Sequence, residues 1–207
     1  MTLRIDPATA ASAVRAYNAG SYRGRRNIDV DRAAYDRFRS GLPTDERMLI
    51  DCIRFVGEDY GGAQARFLPH GYREEAALIV ARFKPCLEDW TLFVNSARPL
   101  ADEPPDEVRM TVLLRPFEGT KRWPVWATKT MHFIRPDAFP ILDSRARKAI
   151  GLANLGGTPR DYVRYCSTVR DILGGNHEAL DAARRADESA SPSDLKLLDK
   201  ILYQLGT

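Results

Sequence analysis

Trp126-Ala127-Thr128-Lys129-Thr130-Met131-His132-Phe133-Ile134-Arg135-Pro136-Asp137-Ala138-Phe139-Pro140-Ile141-Leu142-Asp143-Ser144-Arg145 is the stretch whose layout decides the fold. Up to Ile134 it reads as a helix carrying one lysine. Arg135-Pro136 ends that helix, because proline lacks a backbone N–H and disfavours helical geometry in the residue before it. The short apolar run Phe139 to Leu142 then leads to Asp143 at the mouth of a second helix. Asp143 has the setting of an N-cap, where a carboxylate accepts backbone N–H bonds and meets the positive helix end. Hydrogen bonds of that kind hold a carboxylate ionised. A fixed anion can therefore face Lys129 from the preceding helix.

Working outward, the same punctuation recurs. Asp6 caps a helix with Pro7 at its first position and Gly20 at its end. A second helix runs from Asp31 to Ser40. In Thr44 to Tyr60, the residues Met48, Leu49, Cys52, Ile53, Val56 and Tyr60 recur at spacings of three and four. Glu74 to Phe83 and Leu87 to Ala97 give two more helices, separated at Pro85. The doubly prolyl stretch 101–106 reads as a lobe boundary. Glu107 to Leu114 is either helix or strand, since Val108, Met110, Val112 and Leu114 alternate. Beyond the central segment, Ser144 to Ile150 stops at Gly151, and Thr158-Pro159-Arg160-Asp161 opens a helix to Leu173. Asn176 to Ala186 follows. Ser191 or Ser193 caps a last helix striped by Leu195, Leu198, Leu202 and Leu205. No hairpin turn between alternating strands is evident. The expectation is an all-α protein of about ten short helices. It forms a single domain over residues 1–207, with lobes 1–100 and 101–207 and an active-site segment at 121–151.

Composition narrows the class. The chain has 207 residues, of which 44% are hydrophobic and 29% charged; this excludes disorder, collagen-like repeats and a disulfide scaffold. No apolar run approaches the roughly 18 residues of a membrane span, and the N-terminus lacks the basic-then-apolar order of a signal peptide. Cys52, Cys86 and Cys166 have neither metal-site nor redox spacing. A cytoplasmic monomer with reduced thiols, without cofactor or metal, is expected. The formal charge of +3 is uneven. Between Lys121 and Lys148 seven basic residues face only Asp137 and Asp143, a local +5 that leaves −2 for the remainder. Such clustering is the footprint of a polyanion ligand. Trp123, Trp126, His132, Phe133 and Phe139 share that window, and aromatics beside cations suit stacking on an exposed base. Arg23-Gly24-Arg25-Arg26, after Tyr22, forms a second basic patch able to grip phosphate.

The segment 126–145 resembles the helix-hairpin-helix DNA glycosylase superfamily. Lys129 matches that family's catalytic lysine, and Asp143 the aspartate that follows a proline-containing turn to cap the next helix. The resemblance extends to the remaining chain only through its all-helical, two-lobed layout. Val125-Trp126-Ala127-Thr128 stands where the family has a glycine–apolar–glycine turn, and the spacing from Lys129 to Asp143 is shorter than in familiar members. The resemblance implies excision of a modified or damaged base flipped out of double-stranded DNA. Lys129 would be the Schiff-base nucleophile, with or without lyase activity, and Asp143 would stabilise an oxocarbenium-like transition state. It also raises roles in DNA repair or in anti-phage defence. Trp126 and His132 lie one turn either side of Lys129, so Trp126 is a candidate stacking surface and His132 a polar reader or proton carrier. Arg25, Arg26, Lys121, Arg122, Arg145, Arg147 and Lys148 are the candidate DNA contacts. The alternative is a non-catalytic nucleic-acid-binding helical module. A nuclease finds little support, because no carboxylates stand at metal-ligand spacing.

Overall fold

Capping side chains set many of the helix boundaries. In a computed structural model that describes residues 3–61, 68, 70–118 and 123–207, the Asp6 carboxylate accepts from Thr9 N–H and opens α1 (Pro7–Ala19). An antiparallel hairpin follows, β1 (Ser21–Tyr22) paired with β2 (Arg25–Arg26). It corrects the expectation that the chain has no hairpin turn. Arg23 and Gly24 take φ values of 52° and 77°, the positive pair that matches a two-residue turn to the strand twist. With arginine in the first of these positions, the usual turn signature is missing. The second strand leads directly into α2 (Asn27–Phe38), which begins at Asn27 rather than at Asp31.

Asp45 caps α3 (Glu46–Glu58) through Met48 N–H. α4 (Gly71–Phe83) and α5 (Leu87–Asn95) are separated by a single 3-10 turn at Lys84–Cys86, where Pro85 breaks the ladder. Glu107–Leu114 is a helix, α6, capped by Asp106. Met110, Leu113 and Leu114 are buried on it while Val108 is 78% exposed; the alternation in sequence was therefore not a strand signal. α7 (Trp123–Ile134), α8 (Ser144–Ala149), α9 (Pro159–Gly175), α10 (His177–Ala186) and α11 (Asp194–Leu205) complete the chain. Thr158 and Asp161 form a reciprocal capping box at α9, and Ser193 caps α11. The described residues thus hold eleven α-helices and one two-stranded sheet.

Packing ties the ends of the chain together. α1 lies against α10 and α11, α3 against α4, α6 against α9, and α8 against α11. A continuous apolar core runs from Ile5 to Leu202. α7 is its axis: every residue from Trp126 to Phe133 is buried. A helix enclosed on all sides needs no polar face. On α11, Leu195, Leu198 and Leu202 are core, whereas Leu205 is exposed. Among the described residues, no helix is long and apolar enough to cross a membrane.

Candidate functional site

Between α7 and α8 the chain turns at 136–138 and then runs without helix from Phe139 to Leu142, and among the described residues no strand pairs with that run. Side chains from α7 and α9 hold it instead. The His132 ring lies with Nδ1 2.7 Å from the Phe139 carbonyl, the Tyr162 hydroxyl donates to Pro140 O at 2.8 Å, and the Tyr165 hydroxyl donates to Ile141 O at 2.9 Å. Leu142 N–H donates to Thr128 Oγ1 at 3.1 Å. Because Nδ1 faces a carbonyl it must carry the proton, and Nε2 then accepts from the Tyr35 hydroxyl at 2.8 Å. Burial, reinforced by the charge of Lys196, pushes the His132 pKa down to about 3. The imidazole is neutral. This strap ends at Asp143, whose carboxylate accepts from Arg145 N–H at 2.8 Å and caps α8.

Beside Asp143 lies a pocket of about 670 Å³, within the range of small-molecule sites. Lys129 enters it from α7, Asp143 from the strap and Asp199 from α11, with Tyr22, Tyr60 and Tyr203 among its walls. Lys129 Nζ donates to the carbonyls of Tyr60 at 3.0 Å and Gly61 at 3.3 Å, just past the end of α3, and sits 5.0 Å from the Tyr60 ring centroid. Burial lowers the Lys129 pKa, and the pull of Asp143 and Asp199 in the other direction only partly offsets it. Lys129 and Asp143 share the pocket without a direct ion pair.

Behind the Tyr60 ring a second lysine is wholly enclosed. Lys196 Nζ lies 3.1 Å from Asp31 Oδ1, 3.1 Å from Asp199 Oδ2 and 2.8 Å from the Tyr60 hydroxyl. Asp31 also accepts from the hydroxyls of Tyr17 and Tyr60. Burial depresses the Lys196 pKa, but Asp31, with Tyr17, Tyr60 and Asp199, more than reverses this, so the pKa lies well above the ordinary lysine value. The lysine stays charged. Tyr60 thus joins the two lysines, Lys129 at its carbonyl and Lys196 at its hydroxyl.

No family model, curated protein or solved structure matches the chain. Among the described residues, no group of three or more His, Cys, Asp and Glu could hold a metal ion.

Of the residues singled out from sequence, the fold brings Lys129, Asp143, Arg145 and Arg147 to the pocket. Arg145 stacks over the Tyr203 ring at 4.4 Å. Arg147 donates to the Leu155 carbonyl through Nη1, and its buried Nε has no partner among the described residues. Lys148 is exposed on the last turn of α8, outside the pocket wall. Trp126 and His132 are corrections. Trp126 is fully buried, its indole N–H donating to Ile53 O at 2.8 Å, and its ring lies against Gly57. His132 is fully buried beneath the strap. Neither reaches the pocket, because α7 is enclosed and neighbouring turns point at different helices. Arg25 and Arg26 are exposed but paired, with Asp59 at 3.4 Å and Asp29 at 2.9 Å. Surface pairs of that kind contribute about 0–1 kcal/mol. Lys121 and Arg122 lie outside the described residues. Val125 to Thr128 are helical, so no turn occurs there.

Asp199, Tyr60, Tyr203, Lys196 and Asp31 were missed. A signal existed for three of them: Lys196, Asp199 and Tyr203 recur at helical spacing on α11 beside the leucine stripe.

Proposed function

We propose that this chain is a DNA glycosylase that removes a modified or damaged base flipped from double-stranded DNA. One observation carries the reading: Lys129, with its pKa lowered by burial, opens into the same pocket as the strap-held carboxylate of Asp143. A lysine poised toward its neutral form can attack the sugar C1′ as the bond to the base breaks, forming an N–C1′ bond and, on ring opening, a Schiff base. Asp143 would stabilise the positive charge that develops on the sugar. The tyrosine walls suit an unstacked base, and Arg145, Arg147, Lys148, Arg25 and Arg26 would meet phosphates. Lyase activity would follow from the Schiff base. On this reading the protein acts as a cytoplasmic monomer in DNA repair or anti-phage defence.

A second reading rests on a specific contact. Lys129 already donates to two carbonyls beyond the end of α3, which is what a purely structural C-terminal cation does. The chain would then be a non-catalytic nucleic-acid-binding module. Borohydride trapping on duplexes carrying abasic sites or modified bases separates the two. The glycosylase reading expects a covalent adduct that Lys129→Ala abolishes. It also expects base release that Asp143→Asn slows by about a hundredfold or more. Salt-sensitive DNA binding with no adduct and no Asp143-dependent release would leave only the module.

A further inference from the structure

Among the described residues, Asp199 is the one pocket carboxylate fixed by a buried ammonium. Its Oδ2 accepts from Lys196 Nζ at 3.1 Å, and its side chain is 11% exposed, at the pocket wall. Among the described residues, Lys196 is the only hydrogen-bond donor it has. Oδ1 and the second lone pair of Oδ2 are therefore open to a ligand. Tyr203, one turn further along α11, stands beside it as a flat wall, its ring held by Arg145. A rigid helix thus presents an acceptor edge and an aromatic face at fixed spacing.

We infer that Asp199 reads the edge of the bound base and selects one of the guanine type. The inference rests on the glycosylase reading of the same pocket. A carboxylate offers only acceptors, so it favours an edge with adjacent donors. Guanine presents N1–H beside a 2-amino group. Adenine and cytosine place a ring-nitrogen acceptor next to their amino group, and thymine flanks its single N–H with two carbonyls. Each of these sets a lone pair against the carboxylate, whereas guanine does not.

The test is binding of free nucleosides to the whole protein, followed by NMR, with no bond broken. Guanosine should bind more tightly than inosine, which lacks only the 2-amino group, and than adenosine, cytidine or thymidine, by about tenfold or more. Asp199→Asn should erase the guanosine preference. Trapping reads bond breaking and the panel reads binding alone, so a failed trapping experiment and a failed nucleoside panel are different results. Equal binding of guanosine and inosine to the unaltered protein would overturn the inference without recourse to a variant. So would absence of nucleoside binding, or an Asp199→Asn protein that folds and keeps the preference.

Discussion

Acid should unfold this protein partly through His132. The ring is enclosed, neutral and bonded at both nitrogens, with its pKa pushed down to about 3. Unfolded, it titrates near 6.5. Its contribution to stability is therefore fully present above about pH 6.5 and is lost as the pH falls toward 3, because only the unfolded chain takes up the proton. At about 1.36 kcal/mol per pH unit, the loss reaches about 2 kcal/mol by pH 5. Urea unfolding at pH 7 and pH 5, on the wild type and on His132→Gln, isolates the effect. Gln keeps a donor and an acceptor but does not titrate, and the carboxylates contribute equally to both proteins. The wild type should lose about 2 kcal/mol more than the variant over that interval. Equal losses would refute the buried, neutral assignment, as would an NMR titration of the His132 ring near pH 6 in the folded state.

Two further outcomes follow from packing. Lys196→Met strands Asp31 in the interior and takes from Asp199 its donor, and should cost about 3–5 kcal/mol in chemical denaturation, whereas Lys196→Met with Asp31→Asn should recover the part due to Asp31; a double variant no better than the single one would argue against the pair. Gly57→Ala would place a Cβ 2.4 Å from Cζ2 of the anchored Trp126 ring, an overpacking worth about 1–3 kcal/mol. It should lower Tm by about 2–4 °C for each kcal/mol lost and move the Trp126 fluorescence, and an unchanged Tm would show that the ring is free to shift.

What the sequence disclosed was local chemistry. Asp6 before Pro7 and the Thr158–Asp161 box satisfy N–H groups within a few residues of themselves, so their helix starts could be read directly, and the same rule narrowed the last start to Ser191 or Ser193, of which Ser193 is the cap. Asp143 belongs with them, and its cap was legible for the same reason. Pairing Lys129 with Asp143 needed only the short path between two consecutive helices. Asp199 reaches the pocket only because α11 docks on α8, and Lys196 is tolerable only because Asp31 and Tyr60 arrive from distant parts of the chain. No local pattern encodes such meetings. Trp126 and His132 were misplaced by a related gap: on a helix buried around its whole girth, one-turn spacing does not identify a shared partner. The Arg23-Gly24 turn escaped because arginine there departs from the Asn-Gly habit of such turns.

The strap from Phe139 to Leu142 carries a consequence for how this protein can vary. Its shape is written outside it, in Thr128, His132, Tyr162 and Tyr165. Within the limits of volume, its own apolar side chains can be exchanged while every anchoring bond survives, since those bonds go to backbone atoms. Adding or removing one residue would instead shift three carbonyls past three fixed donors together and carry Asp143 off its helix. The strap is free in composition and rigid in length, so chains that keep these four anchors should also keep the number of residues from His132 to Asp143, however far they drift elsewhere.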